Sequence, residues 1–422
     1  MDTERGMMKK VLVKGPILSR SGYGEHARFV LRSLRHHEDK FDIYAENTTW
    51  GHTGWLYSDT EERRWLDSII NKTAELSQEG GQVDLSLQVT IPNEWQPLAP
   101  INVGITAGIE TTQIAPEWIT KSQIVNKIIT ISEHSKKIYE GTSYTAVNND
   151  TGETIDNFKC TTPIDIVHYP VREHEPEEIN LDLTTKFNFL IVAQWAPRKN
   201  LDNTIRWFVE EFIDQEVGLV VKTNVANNSI IDRYETEKRI KNILSPYEKR
   251  KCKVHLLHGD MTDEEMTSLY KKPEIKALVT LTHGEGFGLP LFEAAYNELP
   301  VIAPNWSGHL DFLYKPTKDK KGKVKMKAHF AKLDYDIGPI QSEIVWDGVL
   351  HKDSMWCYPQ QGSYKMRLRE VYKDHGRFKK MAKDLKKWIC EEFEKTKQYD
   401  KMVDSILSVV PETEEHTVRF FD

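Results

Sequence analysis

Short β-branched runs and apolar stripes of helical period alternate along most of this chain, and the whole series occurs twice. Val11-Leu12-Val13 leads into a loop containing Gly15, Gly22 and Gly24. Ala27, Phe29, Val30, Leu31 and Leu34 then follow at helical spacing. Strand, glycine loop, helix is the opening unit of a parallel α/β sheet. Further strands are read at residues 41–44, 84–89, 101–106, 127–131 and 164–169, with helices at 118–125 and after Ser132, a natural N-cap. Residues 142–158 read as a hairpin insertion that turns at 150–152.

Residues 172–185 break the rhythm. Glu173, Glu175, Pro176, Glu177 and Glu178 make this stretch acidic and poor in apolar groups, so it reads as a linker. A second series follows, with strands at 187–193, 219–222, 254–257, 277–281 and 301–303 and helices between them. Helical patterns occupy 363–372, 378–393 and 398–409. The expected division is a first α/β half over 1–171, the linker, a second half over 186–385, and helices over 386–422. With 422 residues, two such halves leave little chain for a third domain. The apolar fraction of 39% is enough for two real cores.

Composition narrows the classes. The net charge of −7 argues against a protein whose main task is coating nucleic acid. Residues 315–327 stand apart, with seven lysines and one aspartate, and read as a solvated, mobile loop. The four cysteines (Cys160, Cys252, Cys357 and Cys390) are far apart, so neither a zinc pattern nor a disulfide framework is expected. Their scarcity and the lack of a signal-peptide pattern predict a cytoplasmic protein.

The chemistry concentrates at His283-Gly284-Glu285-Gly286-Phe287-Gly288-Leu289-Pro290, followed by Leu291-Phe292-Glu293. Glycines after a strand let the backbone approach a ligand, and a helix starting at Pro290 presents free N–H groups to an anion. Glu285 lies in the loop and Glu293 one turn into the helix. Two glutamates eight positions apart around Gly-Phe-Gly-Leu-Pro resemble the E-x7-E signature of retaining glycosyltransferases of the GT-B fold, the family 4-like group. Leu299-Pro300-Val301-Ile302-Ala303 and Ala196-Pro197-Arg198-Lys199-Asn200 are similar to that group as well.

The resemblance implies a GT-B fold: two Rossmann-like, doubly wound α/β domains facing a cleft, with the acceptor on the first and a nucleotide sugar on the second. The last helices would return to the first. It implies that Glu285 contacts sugar hydroxyls, that Glu293 binds the ribose, and that Lys199 and Arg198 neutralise the diphosphate. Gly286, Phe287, Gly288 and Leu289 would complete the donor site, with Gly22 and Gly24 approaching from the first half. Tyr23, Glu110, His134 and His309 are assigned to the acceptor side. The family's Gly-Arg is here Ala193-Gln194, and Lys222 is the candidate replacement for that arginine. No Asp-x-Asp or His/Asp cluster appears, so neither a metal nor a cofactor is expected. Transfer would retain configuration by front-face attack, the leaving phosphate accepting the acceptor's proton.

Two other readings remain at this point. The loop over 15–24 is a weak match to an NAD-type oxidoreductase, because its glycines do not fall as G-x-G-x-x-G. The 315–327 lysines allow a non-catalytic nucleic-acid-binding module, or a glycosyltransferase whose acceptor is hydroxymethylated DNA rather than a glycan or lipid-linked sugar.

Overall fold

A computed structural model describes residues 8–147 and 151–411. The first half comprises β1 (Lys9–Gly15), α1 (Gly22–His36), β2 (Phe41–Asn47), α2 (Glu61–Gln78), β3 (Leu85–Val89) and β4 (Ile101–Ile105). It continues through α3 (Pro116–Ser122), β5 (Lys127–Thr130), α4 (Glu133–Gly141), a hairpin of β6 (Ser143–Val147) and β7 (Thr154–Lys159), and β8 (Ile164–Ile166). Part of the expected hairpin turn, residue 150, lies outside the described residues. Six strands pair in the order β2-β1-β3-β4-β5-β8, all parallel.

The second half runs β9 (Asn188–Val192), α5 (Leu201–Phe212), β10 (Gly218–Lys222), α6 (Ile230–Leu244), β11 (Lys253–Leu257) and α7 (Asp263–Lys271). It goes on with β12 (Ile275–Val279), α8 (Leu289–Tyr296), β13 (Val301–Pro304), the single turn α9 (Leu310–Leu313), β14 (Tyr314–Lys318), β15 (Val324–Ala328) and β16 (Ala331–Leu333). Its sheet order is β11-β10-β9-β12-β13-β16, again parallel throughout. Both sheets reverse direction of growth beside their first strand. That is where open α/β sheets leave a crevice outside the carboxyl ends of the strands.

The stretch after β16 is regular. It forms an antiparallel pair of β17 (Tyr335–Pro339) and β18 (Met355–Pro359), then α10 (Gln361–Lys373). Residues 315–327, expected as a mobile loop, are the antiparallel pair β14 and β15. The turn is built by Asp319, whose carboxylate accepts the Lys321 and Lys323 N–H groups, and by Gly322 at φ +79°.

The last two helices, α11 (His375–Glu392) and α12 (Lys395–Leu407), tie the halves together. The first packs on α8 and the second on α1. The crossing falls at Phe393–Glu394, where the Val171 N–H donates to the Phe393 carbonyl at 2.8 Å. Tyr399, Met402, Val403 and Ile406 of α12 enter the same core as Phe29, Val30 and Leu34 of α1. Each fully buried side chain of this kind contributes roughly 1.5–3 kcal/mol, so the returning helix is a structural part of the first half.

Candidate active site

Two loops of the second half meet behind its crevice. One follows β9 and contains Pro197-Arg198-Lys199, a single tight turn that ends at Asn200 in the left-handed region (φ +54°) and passes directly into α5. The other follows β12 and contains the glycines. They are laced together by the His283 N–H donating to the Arg198 carbonyl at 2.8 Å and by the Asn200 side-chain amide on Leu281 O at 3.3 Å.

This lacing sets up a charged cluster. Lys199 Nζ lies 2.6 Å from Glu285 Oε1, and Arg198 Nη1 lies 3.1 Å from Glu285 Oε2. Arg198 also donates to Gly284 O at 2.5 Å and faces Glu110 of the first half at 3.4 Å. Glu285 is only 4% exposed. Burial opposes its charge, but Lys199 and Arg198 outweigh it and hold the carboxyl down to about 2. Burial, with Arg198 nearby, lowers the Lys199 pKa. For Arg198 burial works against the cation, and Glu110 and Glu285 more than compensate. At neutral pH this is one carboxylate between two cations.

The glycines serve the seam between the halves as well as the loop. A Cβ on Gly286 would stand 2.2 Å from the Ala107 carbonyl of the first half. Gly288 adopts φ +94° as it turns the chain into α8. Pro290 follows in the first turn of that helix, where a missing N–H costs nothing. The Phe287 ring is 2% exposed and packs against Tyr169, Phe292 and Phe312, so its side chain lies in the core. Leu289 is half-buried against the same core.

Glu293 sits one turn into α8. Burial raises its carboxyl to about 7, and the Tyr270 hydroxyl, donating to Oε2 at 2.8 Å, opposes that rise. Lys222 points its Nζ at Gly259 O, 2.5 Å away, at the end of β10. Gln194 is occupied by the Val225 carbonyl at 2.9 Å. Arg20, which the sequence reading passed over, reaches across from the first half to Asp260 at 3.5 Å, and Asp260 and Arg20 both act on Lys222. Its only sequence signal was a place inside the glycine loop.

On the first half, Gly22 opens α1 with free space around it, whereas Gly24 is buried, a Cβ there meeting Ser19 O at 2.0 Å. Gly24 therefore packs the loop onto its helix. The Tyr23 ring lies on Trp50 with centroids 4.3 Å apart, and its hydroxyl bonds Thr106 Oγ1 at 2.9 Å. His134 stands at the start of α4, edge-on to Trp306 at 4.8 Å. Among the described residues its buried Nε2 has no hydrogen-bond partner, and burial pushes its pKa down to about 4, so it is neutral at pH 7. His309 is fully buried, with Nε2 on Pro304 O at 2.7 Å, and braces the loop where Ser307 Oγ accepts the Glu285 N–H.

The seam is further held by Asp311 of α9, whose carboxylate accepts from the Glu133 N–H at 2.8 Å and meets His168 at 2.9 Å. Among the described residues, His36, His37 and Asp400 form the grouping that a metal would find, and it lies at the far end of α1. No helix among the described residues is long and apolar enough to cross a membrane.

Residues 172–318 match the family of glycosyl transferases group 1. No curated protein matches the chain significantly. Among solved structures, the Anabaena HepE protein in complex with UDP and glucose superposes with a TM-score of 0.59 at 10% identity, over 95% of this chain and 100% of that one. The sucrose-phosphate synthase of Thermosynechococcus elongatus gives 0.58 at 11% identity, over 94% and 98%. The lipopolysaccharide outer core galactosyltransferase WaaB gives 0.53 at 11%, over 95% and 99%. The fold is the GT-B fold, two parallel six-stranded sheets flanked by helices. The family match falls on the half that carries Arg198, Lys199, Glu285 and Glu293, and the chain is a glycosyltransferase.

Proposed function

We propose that this enzyme moves a hexose from a nucleoside-diphosphate sugar to an acceptor hydroxyl, with retention of configuration and without a metal. The observation that carries the reading is the cluster of Glu285 between Lys199 and Arg198. Sugar transfer breaks the anomeric C–O bond while negative charge grows on the diphosphate. Preplaced cations stabilise that charge where it develops. Lys199 holds Glu285 with one of its three N–H donors, leaving two for phosphate oxygens. The start of α8 adds its dipole. Glu285, ionised throughout the neutral range, accepts sugar hydroxyls and offsets positive charge on the ring. Glu293 receives the ribose diol.

The HepE structure holds UDP and glucose, and the E. coli trehalose-6-phosphate structure, similar at a TM-score of 0.54 and 8% identity over 96% of this chain and 100% of that one, holds UDP-2-fluoro glucose. These support a UDP-sugar donor. The acceptor is a glycan or a lipid-linked sugar, placed against Tyr23, Glu110 and His134.

The test is a nucleotide-sugar panel read by donor hydrolysis, with NADH as the control ligand in thermal shift. Glu285→Gln and Lys199→Ala are each expected to lower turnover ~10²–10³-fold with the fold intact. Undiminished turnover in both would overturn the assignment.

A further inference from the structure

The lysine-rich hairpin of β14 and β15 takes no part in the charged cluster. Its root is fixed: Lys315 Nζ and His329 Nε2 both meet Asp384 of α11, at 2.8 and 3.0 Å, and the Tyr314 hydroxyl bonds Asn305 at 2.6 Å. The arm beyond that root is therefore held in a defined direction.

Directly opposed residues of an antiparallel pair share a face. The register pairs Lys315 with Lys327 and Thr317 with Lys325 on one face. It pairs Pro316 with Met326 and Lys318 with Val324 on the other. The second face is covered at its root, where Tyr314 and Ala328 pair and pack on the core, and is open to solvent beyond it. Val324 is 55% and Met326 56% exposed, and Pro316 and Lys318 are exposed beside them. On the first face Lys315 and Thr317 are half-buried, whereas their partners Lys327 and Lys325 are exposed. Beyond its root the arm therefore exposes apolar groups and lysines side by side. Lys320, Lys321 and Lys323 crown the tip, and the one acid, Asp319, is engaged in the turn itself.

We propose that this hairpin docks the enzyme on an anionic membrane surface. Val324, Met326 and Pro316 enter the boundary between headgroups and acyl chains. Lys318, Lys320, Lys321 and Lys323 meet the anionic headgroups around them. Apolar groups combined with a basic ring match an anionic lipid interface. Binding to a nucleic-acid backbone is carried by cationic and hydrogen-bonding groups, and two outward aliphatic side chains at the centre of the patch have no role in it. The charge is complementary too, since the segment is strongly positive in a chain of net charge −7.

The experiment is cosedimentation of the full chain with vesicles of phosphatidylglycerol mixed with phosphatidylcholine, against vesicles of phosphatidylcholine alone, at low and high salt. Binding to the anionic vesicles is expected, weakened at least tenfold by high salt or by removal of phosphatidylglycerol. The K320Q/K321Q/K323Q variant should lose roughly a hundredfold, about fivefold for each lysine. V324S/M326S should lose severalfold. Both variants should keep the parent melting temperature and rate of donor hydrolysis in solution, so that failure of docking is separable from failure of the catalytic reading. Absence of binding to the anionic vesicles overturns the proposal. So does binding that V324S/M326S leaves intact, and so does duplex DNA binding tighter than vesicle binding.

Discussion

Two glutamates eight positions apart are held in opposite electrostatic states, and that difference is testable. Glu293 has a raised carboxyl pKa because it is buried, with Asp263 and Glu25 adding like charge. Its protonated form is favoured in the fold, so its ionisation costs stability increasingly as pH rises from the unfolded value through about 7. Glu293→Gln should therefore raise the melting temperature at pH 8 and change it little at pH 5, while weakening donor binding at pH 8 and much less at pH 5. In the parent the ionised form is the better acceptor for a ribose diol, so the donor KM should fall between pH 6 and pH 8. Tyr270→Phe removes the hydrogen bond that lowers this pKa, and should move that inflection to higher pH. Glu285 behaves inversely. Its depressed pKa contributes stability that is present above the unfolded carboxylate value and is lost as pH falls towards about 2. Glu285→Gln should lower the melting temperature at pH 7 and much less at pH 3. Thermal melts across pH decide both cases.

How far these residues were legible in the sequence depends on chain distance. Arg198, Lys199, Glu285 and Glu293 stand in two short runs whose residue types and spacing already indicate a diphosphate site. Their partners do not. Tyr270, Ser307, Trp306 and Arg20 reach the site only through sheet packing, and nothing local marks them; Glu110 is assigned to the acceptor side, but nothing local shows that it meets Arg198. Position in a motif also does not say which way a side chain turns: the rings of Phe287 and His309 are buried.

The strands and helices of the two sheets were readable from period, since buried parallel strands are short apolar runs and the helices between them are amphipathic. The hairpin at 315–327 was not, because its alternation is of lysines with other residues and carries no inward apolar face. The glycine loop illustrates a second limit. Its glycines fit ligand approach, yet the structure also uses Gly286 to bring the Ala107 carbonyl close. A methyl group there has no room, and the obstructing atom is backbone rather than a flexible side chain. Gly286→Ala should therefore shift the two loops apart. Donor kcat/KM is expected to fall at least a hundredfold, since small displacements at a reacting centre are costly. The secondary-structure content should be unchanged by circular dichroism. Retained kcat/KM would show that this close approach is dispensable.

The two halves are joined by more than a linker. Arg172 reaches Glu25 of α1 at 3.1 Å and Asp263 of α7 at 3.3 Å, so one side chain of the connecting segment touches both halves. The returning helix α12 does more, because its contacts are apolar and buried. Ile406, Met402 and Val403 are fully buried against α1 and its strands. Around them, Lys127 and Ser405 both meet Asp165 at 2.6 and 2.7 Å, and His37 meets Asp400 at 2.8 Å. Exposed ion pairs contribute little, whereas a buried isoleucine cut to alanine costs about 2–5 kcal/mol. That is a large share of the ~5–15 kcal/mol typical of a folded domain. Ile406→Ala should therefore lower the denaturant midpoint of the first half strongly, while Asp400→Asn moves it little. Neither residue approaches Glu285, so donor hydrolysis below the unfolding temperature should be unaffected in both. If Asp400→Asn proves as costly as Ile406→Ala, the two halves are held together by charge and not by the shared core.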